Sequence, residues 1–377
     1  MDIIKRNIEN KIENWLFKGK IIIVYGARQV GKTTLCKAIM EKYKGDAVYF
    51  NCEVIQIKQA LEIQDPVELK KFLGDSKLII LDEAQSVRNI GLSLKLLIDT
   101  YPDMQIIATG SSSFDLSNKI SEPLTGRSIE FTLYPFSISE LQQVYKPHEL
   151  KGQINTFLRF GMYPEVVKSG QENGRIFLEN IASKYLYKDV LEFEEVKRSD
   201  LLVSLLQLLA LQLGNEVSYH ELSKHLKCDP ATVRRYIDIL EKAFVIFRLK
   251  PFSRNLRNEI GKKNKIYFYD LGIRNSLIGR YEAIEKRDDV GALWENFCII
   301  ERLKRNQLKD TYGNKFFWRT HDGYEVDYIE EYDGILHGYE FKWNSKRSIR
   351  TKRFLEEYKE SSVKSVNIDN YYDFIIE

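Results

Sequence analysis

The chain lacks an excess of either charge. Its 57 lysines and arginines stand against 54 aspartates and glutamates, a net charge of +3, so the global balance names no partner. Clustered charge could still do so. Cysteine is scarce as well. Cys36, Cys52, Cys228 and Cys298 are widely scattered, with no CxxC pair. That spacing argues against a zinc site and suggests no disulfide framework; reduced thiols in a cytoplasm are the simpler account. No apolar stretch approaches the roughly twenty residues needed to span a bilayer, so no membrane association is expected. The first twenty residues read as a charged amphipathic helix and not as a secretory signal. Short-period repeats and low-complexity tracts are missing too. What remains is 377 residues with 44% hydrophobic content, enough chain for two or three domains.

The strongest positive signal is GARQVGKTT, Gly26 to Thr34. It follows the apolar run Ile21 to Val24, which reads as a buried strand, and opens a helical pattern through Leu35, Ile39 and Met40. Strand, loop and helix in that order turn a GxxxxGK[ST] match into a phosphate site. Gly26 and Gly31 let the backbone wrap an anion without Cβ clashes. Ala27, Arg28, Gln29 and Val30 complete the cradle, with Thr34 just beyond it. Lys32 is expected to reach the β- and γ-phosphates of ATP, and the Thr33 hydroxyl to hold Mg²⁺. The duty of Arg28 is left open. A second apolar run, Leu78 to Leu81, ends in Asp82-Glu83. Unalternated runs suit central parallel strands. Asp82 is expected at Mg²⁺, and Glu83 as the base that polarises the attacking water. A third strand, Met104 to Thr109, leads into Gly110-Ser111. Thr109 and Ser111 are either sensors of the γ-phosphate or ordinary turn residues. These parts predict an α/β core with a parallel sheet and its site at the strands' carboxyl ends. Pro135 then breaks the strand-like SIEFTLYPF before Ser137 or Ser139 caps a helix, and the core is placed at 1–150.

Residues 151–198 are helical in period, with a Gly161-Met162-Tyr163-Pro164 turn, and read as a lid or linker. Residues 199–265 read as a winged helix-turn-helix. An apolar helix ends near Gly214, Ser218 caps the next, and Asp229 with Pro230 opens a third. The strand VIFRLKPFS supplies the wing. Thr232, Arg234 and Arg235 would lie near the start of a recognition helix. Arg248, Lys250, Arg254, Arg257, Lys262, Lys263 and Lys265 offer either a phosphate-facing surface for nucleic acid, DNA above all, or a solvated basic face.

The last part, 266–377, places Glu295 near the start of a helix, Asp327 on a strand after a His321-Asp322-Gly323 turn, and Glu340-Phe341-Lys342 on the next strand. An acid on one strand followed by ExK on its neighbour is the arrangement of metal-dependent nucleases. Asp327 and Glu340 would hold Mg²⁺, Lys342 would steady the hydroxide or transition state, and Glu295 would complete the site. Charged residues alternating on a half-exposed strand are the plainer account.

Together the residues resemble a large bacterial and archaeal family of AAA-type ATPases that couple an N-terminal ATPase core to a restriction-endonuclease-like domain of unknown function. The resemblance runs over almost the whole chain, through GARQVGKTT, LIILDEAQ, IIATGSSS, LTGRSIEFTLYPFSISE, GMYPEVV, KYLYKDVLE, GALWENF, and EVD followed by EFKWN. It implies ATP binding, a winged-helix middle region and a nuclease-like end. It also draws attention to Arg127, at a Gly-Arg pair after the sensor strand. That arginine would be a finger for the nucleotide of its own subunit or of a neighbour in a homo-oligomer, or else a structural salt bridge. Three functions remain open on these grounds. One is an ATPase governing a nucleic-acid-binding or nuclease-like half. The second is an ATP-gated switch or scaffold with a silent nuclease-like domain. The third is a transcriptional regulator with slow ATP turnover.

Overall fold

The structure is a computed structural model that describes residues 4–111, 124–186, 198–254, 263–320, 322–344 and 351–376, with backbone alone at 171, 172 and 184–186. Ser112 and Ser113, most of KYLYKDVLE, Arg257, Lys262 and His321 lie outside the described residues. The chain divides into two compact units. One is Met1–Phe136 with Lys242–Phe244, and the other is Ser137–Glu241 with Val245–Glu377.

The first unit is built on five strands: β1 (Ile21–Tyr25), β2 (Ala47–Asn51), β3 (Leu78–Asp82), β4 (Gln105–Gly110) and β5 (Ser128–Thr132). Their order is β2-β3-β4-β1-β5, and every pairing is parallel. β1, β3 and β4 are buried along their whole length, as continuous apolar runs require when both faces are covered. Ile21, Ile23, Ile79, Leu81 and Ile106 pack with Leu94 and Leu97 of the helix Ile90–Thr100. Each such aliphatic side chain contributes about 1.5–3 kcal/mol when fully buried. Parallel pairing brings the ends of β1, β3 and β4 to one edge, where the predicted phosphate site lies. This is the expected α/β core.

The core stops earlier than expected, at Phe136 and not at 150. Ser137, not Ser139, caps the helix Ile138–Leu141 through a reciprocal pair with Glu140. The Ile138 N–H then donates to Glu301 at 2.8 Å, which ties this helix to the second unit.

The second unit holds one seven-stranded sheet. Its strands are β6 (Glu216–Val217), β7 (Ile246–Pro251), β8 (Asn264–Phe268), β9 (Asn314–Arg319), β10 (Glu325–Tyr332), β11 (Ile335–Phe341) and β12 (Ser362–Val366), in the order β12-β11-β10-β9-β7-β8-β6. The predicted linker, wing and nuclease-like domain are therefore not separate bodies. β7 pairs parallel with β9 at Lys250–Phe316 and Pro251–Phe317, joining the wing hairpin to the C-terminal strands. The predicted linker is stitched in as well. Gly161 turns the chain at φ 71°, Met162 N–H donates to Asp270 Oδ2 at 2.7 Å, and a Cβ on Gly161 would strike that same carboxylate. Ahead of the hairpin, the helix Ser199–Leu211, β6 and the helices Tyr219–Leu226 and Pro230–Lys242 follow in order. Ser218 and Asp229 make the expected caps.

Candidate functional sites

The phosphate loop leaves β1 at Gly26, whose φ of 153° and close approach to the Leu133 carbonyl leave no room for a Cβ. Gln29 and Gly31 also have positive φ, 63° and 102°, and Gly31 opens the helix Lys32–Glu41. The loop is held from outside by Arg6. Its guanidinium donates to the Val30 carbonyl at 2.7 Å and to the Tyr134 carbonyl at 2.6 Å, and sits 5.0 Å above the Phe136 ring. Ala27 and Arg28 are half-buried, Val30 is buried, and Gln29 and Thr34 are exposed.

Lys32 is buried and folds back onto the loop. Its ammonium donates to the Gly26 carbonyl at 2.8 Å and the Ala27 carbonyl at 3.2 Å, and lies 3.9 Å from Glu83. Asp82 is the hub. It accepts from Thr33 at 2.7 Å, from Tyr49 at 2.6 Å and from Thr109 at 2.5 Å. Thr109 in turn accepts the Glu83 N–H at 3.0 Å, and helps fix Glu83 at a φ of 54°. Gln85 joins Glu83 at 2.5 Å to Ser111 at 3.1 Å. Burial, with Asp82 and Glu83 adding, pushes the Cys52 thiol up to about 12, so it is no nucleophile here. All four cysteines are free.

The donor set fits Mg²⁺. Thr33 and Asp82 present a hydroxyl and a carboxylate side by side, hard oxygen donors that leave room for water and phosphate oxygens. The structure thus gathers Lys32, Thr33, Asp82, Glu83, Thr109 and Ser111. It does not gather Arg127. The Ile21 N–H donates to the Arg127 carbonyl, which puts Arg127 at the amino end of β5, opposite the edge where the phosphate loop leaves β1. A strand of this length separates the two by roughly 15 Å. The side chain pairs with Asp99 at 2.6 Å on the surface. Supply of Arg127 to the nucleotide of its own subunit is corrected accordingly. Sequence reasoning missed Arg6, Tyr49 and Gln85, since none falls in a recognisable spacing.

In the second unit, Asp327 and Glu340 lie around Lys342, and Glu295 lies beside Lys265. Lys342 lies 3.0 Å from Glu340 and 3.6 Å from Asp327. Asp327 accepts the Phe341 N–H at 2.8 Å and sits where the pairing of β10 with β9 shifts register, a bulge that re-aims side chains. Glu295 accepts from Lys265 at 3.0 Å and from Tyr267 at 2.5 Å, and Lys265 reaches Glu325 at 2.5 Å. Lys265 is 2% exposed, so its expected place on a basic surface is wrong. Arg248 is also withdrawn from that surface, clamped to Asp238 at 2.7 Å and to Glu241. Lys250, Lys263, Arg254, Arg234 and Arg235 remain exposed. The Thr232 hydroxyl is used within the cap, donating to Asp229 at 2.7 Å.

Burial raises the Glu295 carboxyl above its usual range; Lys265 opposes the shift and Asp327 adds to it. Burial also raises Glu340, against the pull of Lys342. Burial would lower both lysines, but the carboxylates facing them outweigh it and keep them charged. Among the described residues no three histidine, cysteine or acidic side chains converge closely enough to hold a metal ion. Asp327 and Glu340 offer two hard oxygen donors, the number Mg²⁺ takes from protein when substrate supplies the rest.

The fold and the first site define a P-loop nucleotide-binding protein. Residues 18–142 match the family described as AAA domain. Two domains of unknown function match 151–283 and 290–371. These matches set an AAA domain ahead of two domains of unknown function. The relatives are uncharacterized proteins. One of Mycobacterium tuberculosis is 27% identical over 93% of this chain and 76% of its own length. One of Methanocaldococcus jannaschii is 27% identical over 98% and 83%. One of Haemophilus influenzae is 23% identical over 95% and 94%. Among solved structures, the Thermotoga maritima RuvB Holliday junction branch migration motor overlays 65% of this chain and 90% of its own, at 16% identity and a TM-score of 0.34. A STAND-type signal transduction ATPase from Pyrococcus horikoshii overlays 81% and 47%, at 12% identity and a TM-score of 0.28. No helix among the described residues is long and apolar enough to cross a membrane.

Proposed function

We propose that the protein hydrolyses ATP with Mg²⁺ and couples its nucleotide state to a nucleic-acid-binding, nuclease-like C-terminal half. The observation that carries the ATPase reading is the hydroxyl–carboxylate–hydroxyl chain Thr33–Asp82–Thr109 beside the Lys32–Glu83 pair. Thr33 and Asp82 would hold Mg²⁺, which neutralises phosphate charge when bound. Lys32 exchanges its loop carbonyls for phosphate oxygens, Glu83 takes a proton from water, and Thr109 and Ser111 fix Glu83 and Gln85 in place. Arg127 is left as a finger for a neighbouring copy only, in a homo-oligomer.

The helix–strand–helix–helix–hairpin order supports a winged helix, with exposed Arg234 and Arg235 on its third helix meeting DNA phosphates. Glu340 and Lys342 beside Asp327 support the nuclease-like reading. The lysine-filled state of that cluster favours a second reading, an ATP-gated switch or scaffold whose nuclease-like half is silent. A reducing cytoplasm fits the four free cysteines. The test measures ATP turnover and DNA cleavage together, with Mg²⁺, in wild type, Lys32→Ala, Asp327→Ala and Glu340→Ala. Turnover lost in Lys32→Ala, with cleavage lost in the two acid variants, supports the first reading. Turnover without binding of DNA or RNA at low salt overturns it and leaves the switch.

A further inference from the structure

The phosphate loop is gripped from behind by a residue that lies outside the GxxxxGK[ST] pattern. Arg6 stands 24 residues ahead of Val30 in the chain and is 7% exposed. Its Nη1 donates to the Val30 carbonyl at 2.7 Å and its Nη2 to the Tyr134 carbonyl at 2.6 Å, so one planar group holds two stretches of backbone. Arg6 is itself anchored. The helix Ile8–Glu13 follows it directly, with Ile8 and Ile12 buried. Lys42, just past the end of the helix Lys32–Glu41, donates to Glu9 at 2.6 Å and to Glu13. The segment from Arg6 to Glu13 therefore spans the phosphate-loop helix, with Arg6 at the loop and the two glutamates at the far end. The second carbonyl is fixed too. Leu133, beside Tyr134, donates its N–H at 2.7 Å to the carbonyl of Tyr25, the residue before Gly26. The fork thus ties the end of the loop to a stretch of chain already bound at the loop's start.

A trans peptide is planar, and its C=O and N–H point in opposite directions. Holding the Val30 carbonyl outward therefore sends the Gly31 N–H toward the concave side of the loop. Gly31 is the second glycine of the motif and opens the helix at a φ of 102°. Its N–H is one of the donors that a helix N-terminus turns toward an anion. Glycine takes many backbone conformations at little cost, so a peptide next to it turns over easily unless something holds it. Arg6 supplies that hold. Its positive charge on the carbonyl also polarises the peptide and makes the N–H a stronger donor.

We propose, on the ATP-binding reading of the loop, that Arg6 is a positioning residue for nucleotide: it presets the Gly31 N–H toward the phosphates before any nucleotide arrives. Fluorescent ATP and ADP are titrated into the full chain as wild type, Arg6→Lys and Arg6→Gln, below the unfolding temperature of the least stable of them. The kcat at saturating ATP and Mg²⁺ and the unfolding temperature of the free chain are measured for each. Arg6→Lys keeps the charge but offers one nitrogen in place of a fork. It should weaken ATP and ADP alike by about tenfold and leave kcat within about threefold, because a loop N–H serves the ground and transition states equally. Arg6→Gln should weaken both at least as much. Affinities within twofold of wild type in both variants overturn the proposal. A lower kcat with affinity intact also overturns it and puts Arg6 in the chemistry. A lower unfolding temperature with affinity intact overturns it and leaves Arg6 a brace of the fold alone. Arg6→Gln buries no unmatched charge, so it decides the matter where Arg6→Lys fails to fold; failure of both to fold overturns the proposal in favour of the same brace. A wild type that binds neither ATP nor ADP removes the ATP-binding reading as well, a result distinct from nucleotide binding that the Arg6 substitutions leave unchanged.

Discussion

Replacing Glu83 by glutamine separates binding from chemistry at the first site. The substitution keeps size and shape, and its amide oxygen can still accept from Gln85, which now holds Glu83 at 2.5 Å. The backbone is fixed independently, through the Glu83 N–H on Thr109. What disappears is a carboxylate able to take a proton and a charge 3.9 Å from Lys32. Before ATP arrives, that charge and the Gly26 and Ala27 carbonyls compete with phosphate for the Lys32 ammonium. Removing one competitor leaves ATP affinity unchanged or tightens it; the pair is long and partly exposed, so the change stays within about fivefold. Loss of a positioned base lowers turnover by roughly 100- to 10,000-fold, a barrier increase of about 3–5 kcal/mol. Fluorescent-nucleotide titration gives the affinity, and phosphate release at saturating ATP and Mg²⁺ gives kcat. A kcat within threefold of wild type refutes the assignment. A large loss of affinity refutes the competition argument.

Arg127→Ala in the isolated chain should leave ATP affinity and kcat within about twofold of wild type, because the residue sits on the far edge of the sheet; a hundredfold loss, restored by mixing with Glu83→Gln chains, would show that a neighbour uses it. Acid stability should depend on Asp289. Burial alone would raise its carboxyl, but Arg287 at 2.8 Å and Arg274 at 2.6 Å outweigh that and hold it well below the usual carboxylate range. A depressed folded value contributes stability above the unfolded pKa of roughly 3.9, which is lost as pH falls below that toward the folded value. Asp289→Asn should cost about 3 kcal/mol or more at pH 7 by removing the acid that Arg274 and Arg287 share, and should flatten the fall below about pH 4; urea unfolding at about pH 7 and about pH 2 checks this. If Arg234 and Arg235 both meet phosphates, replacing both by alanine should reduce the slope of log affinity against log salt by about two, and an unchanged slope removes them from the interface.

How much of this the sequence disclosed follows from how local each feature is. The phosphate loop and the Asp82-Glu83 pair are spelled in contiguous residues, and their chemistry needs no long-range geometry. Arg127 needed the direction of a strand. It follows the sensor strand in sequence, but it precedes β5, and the parallel pairing Ile21–Ser128 sends it to the amino edge. Lys265 read as one more basic residue near a wing. Only the fold shows that Glu295 and Glu325 converge on it and make its burial tolerable. The joining of β7 to β9 likewise rests on two residue pairs between segments far apart in the chain, which no local pattern reports.

That joining gives the second unit a continuous path from its exposed arginines to its acid cluster. Arg248 on β7 grips Asp238 and Glu241, which lie on the same helix as Arg234 and Arg235. β7 pairs with β8, Leu249 opposite Lys265, and Lys265 bridges Glu295 and Glu325. Glu325 begins the strand that carries Asp327. Four carboxylates, Glu295, Glu325, Asp327 and Glu340, share two ammonium groups, so the cluster cannot lose Lys265 without either taking up protons or admitting another cation. A ligand that moved the arginine-bearing helix would act on Lys265 through the hairpin, and so on the charge balance around Asp327 and Glu340. A path of contacts is not itself a coupling; the physical requirement is that the cluster have two charge states of similar energy. In this cluster burial works against the charge of Glu295 and Glu340 while Lys265 and Lys342 work for it.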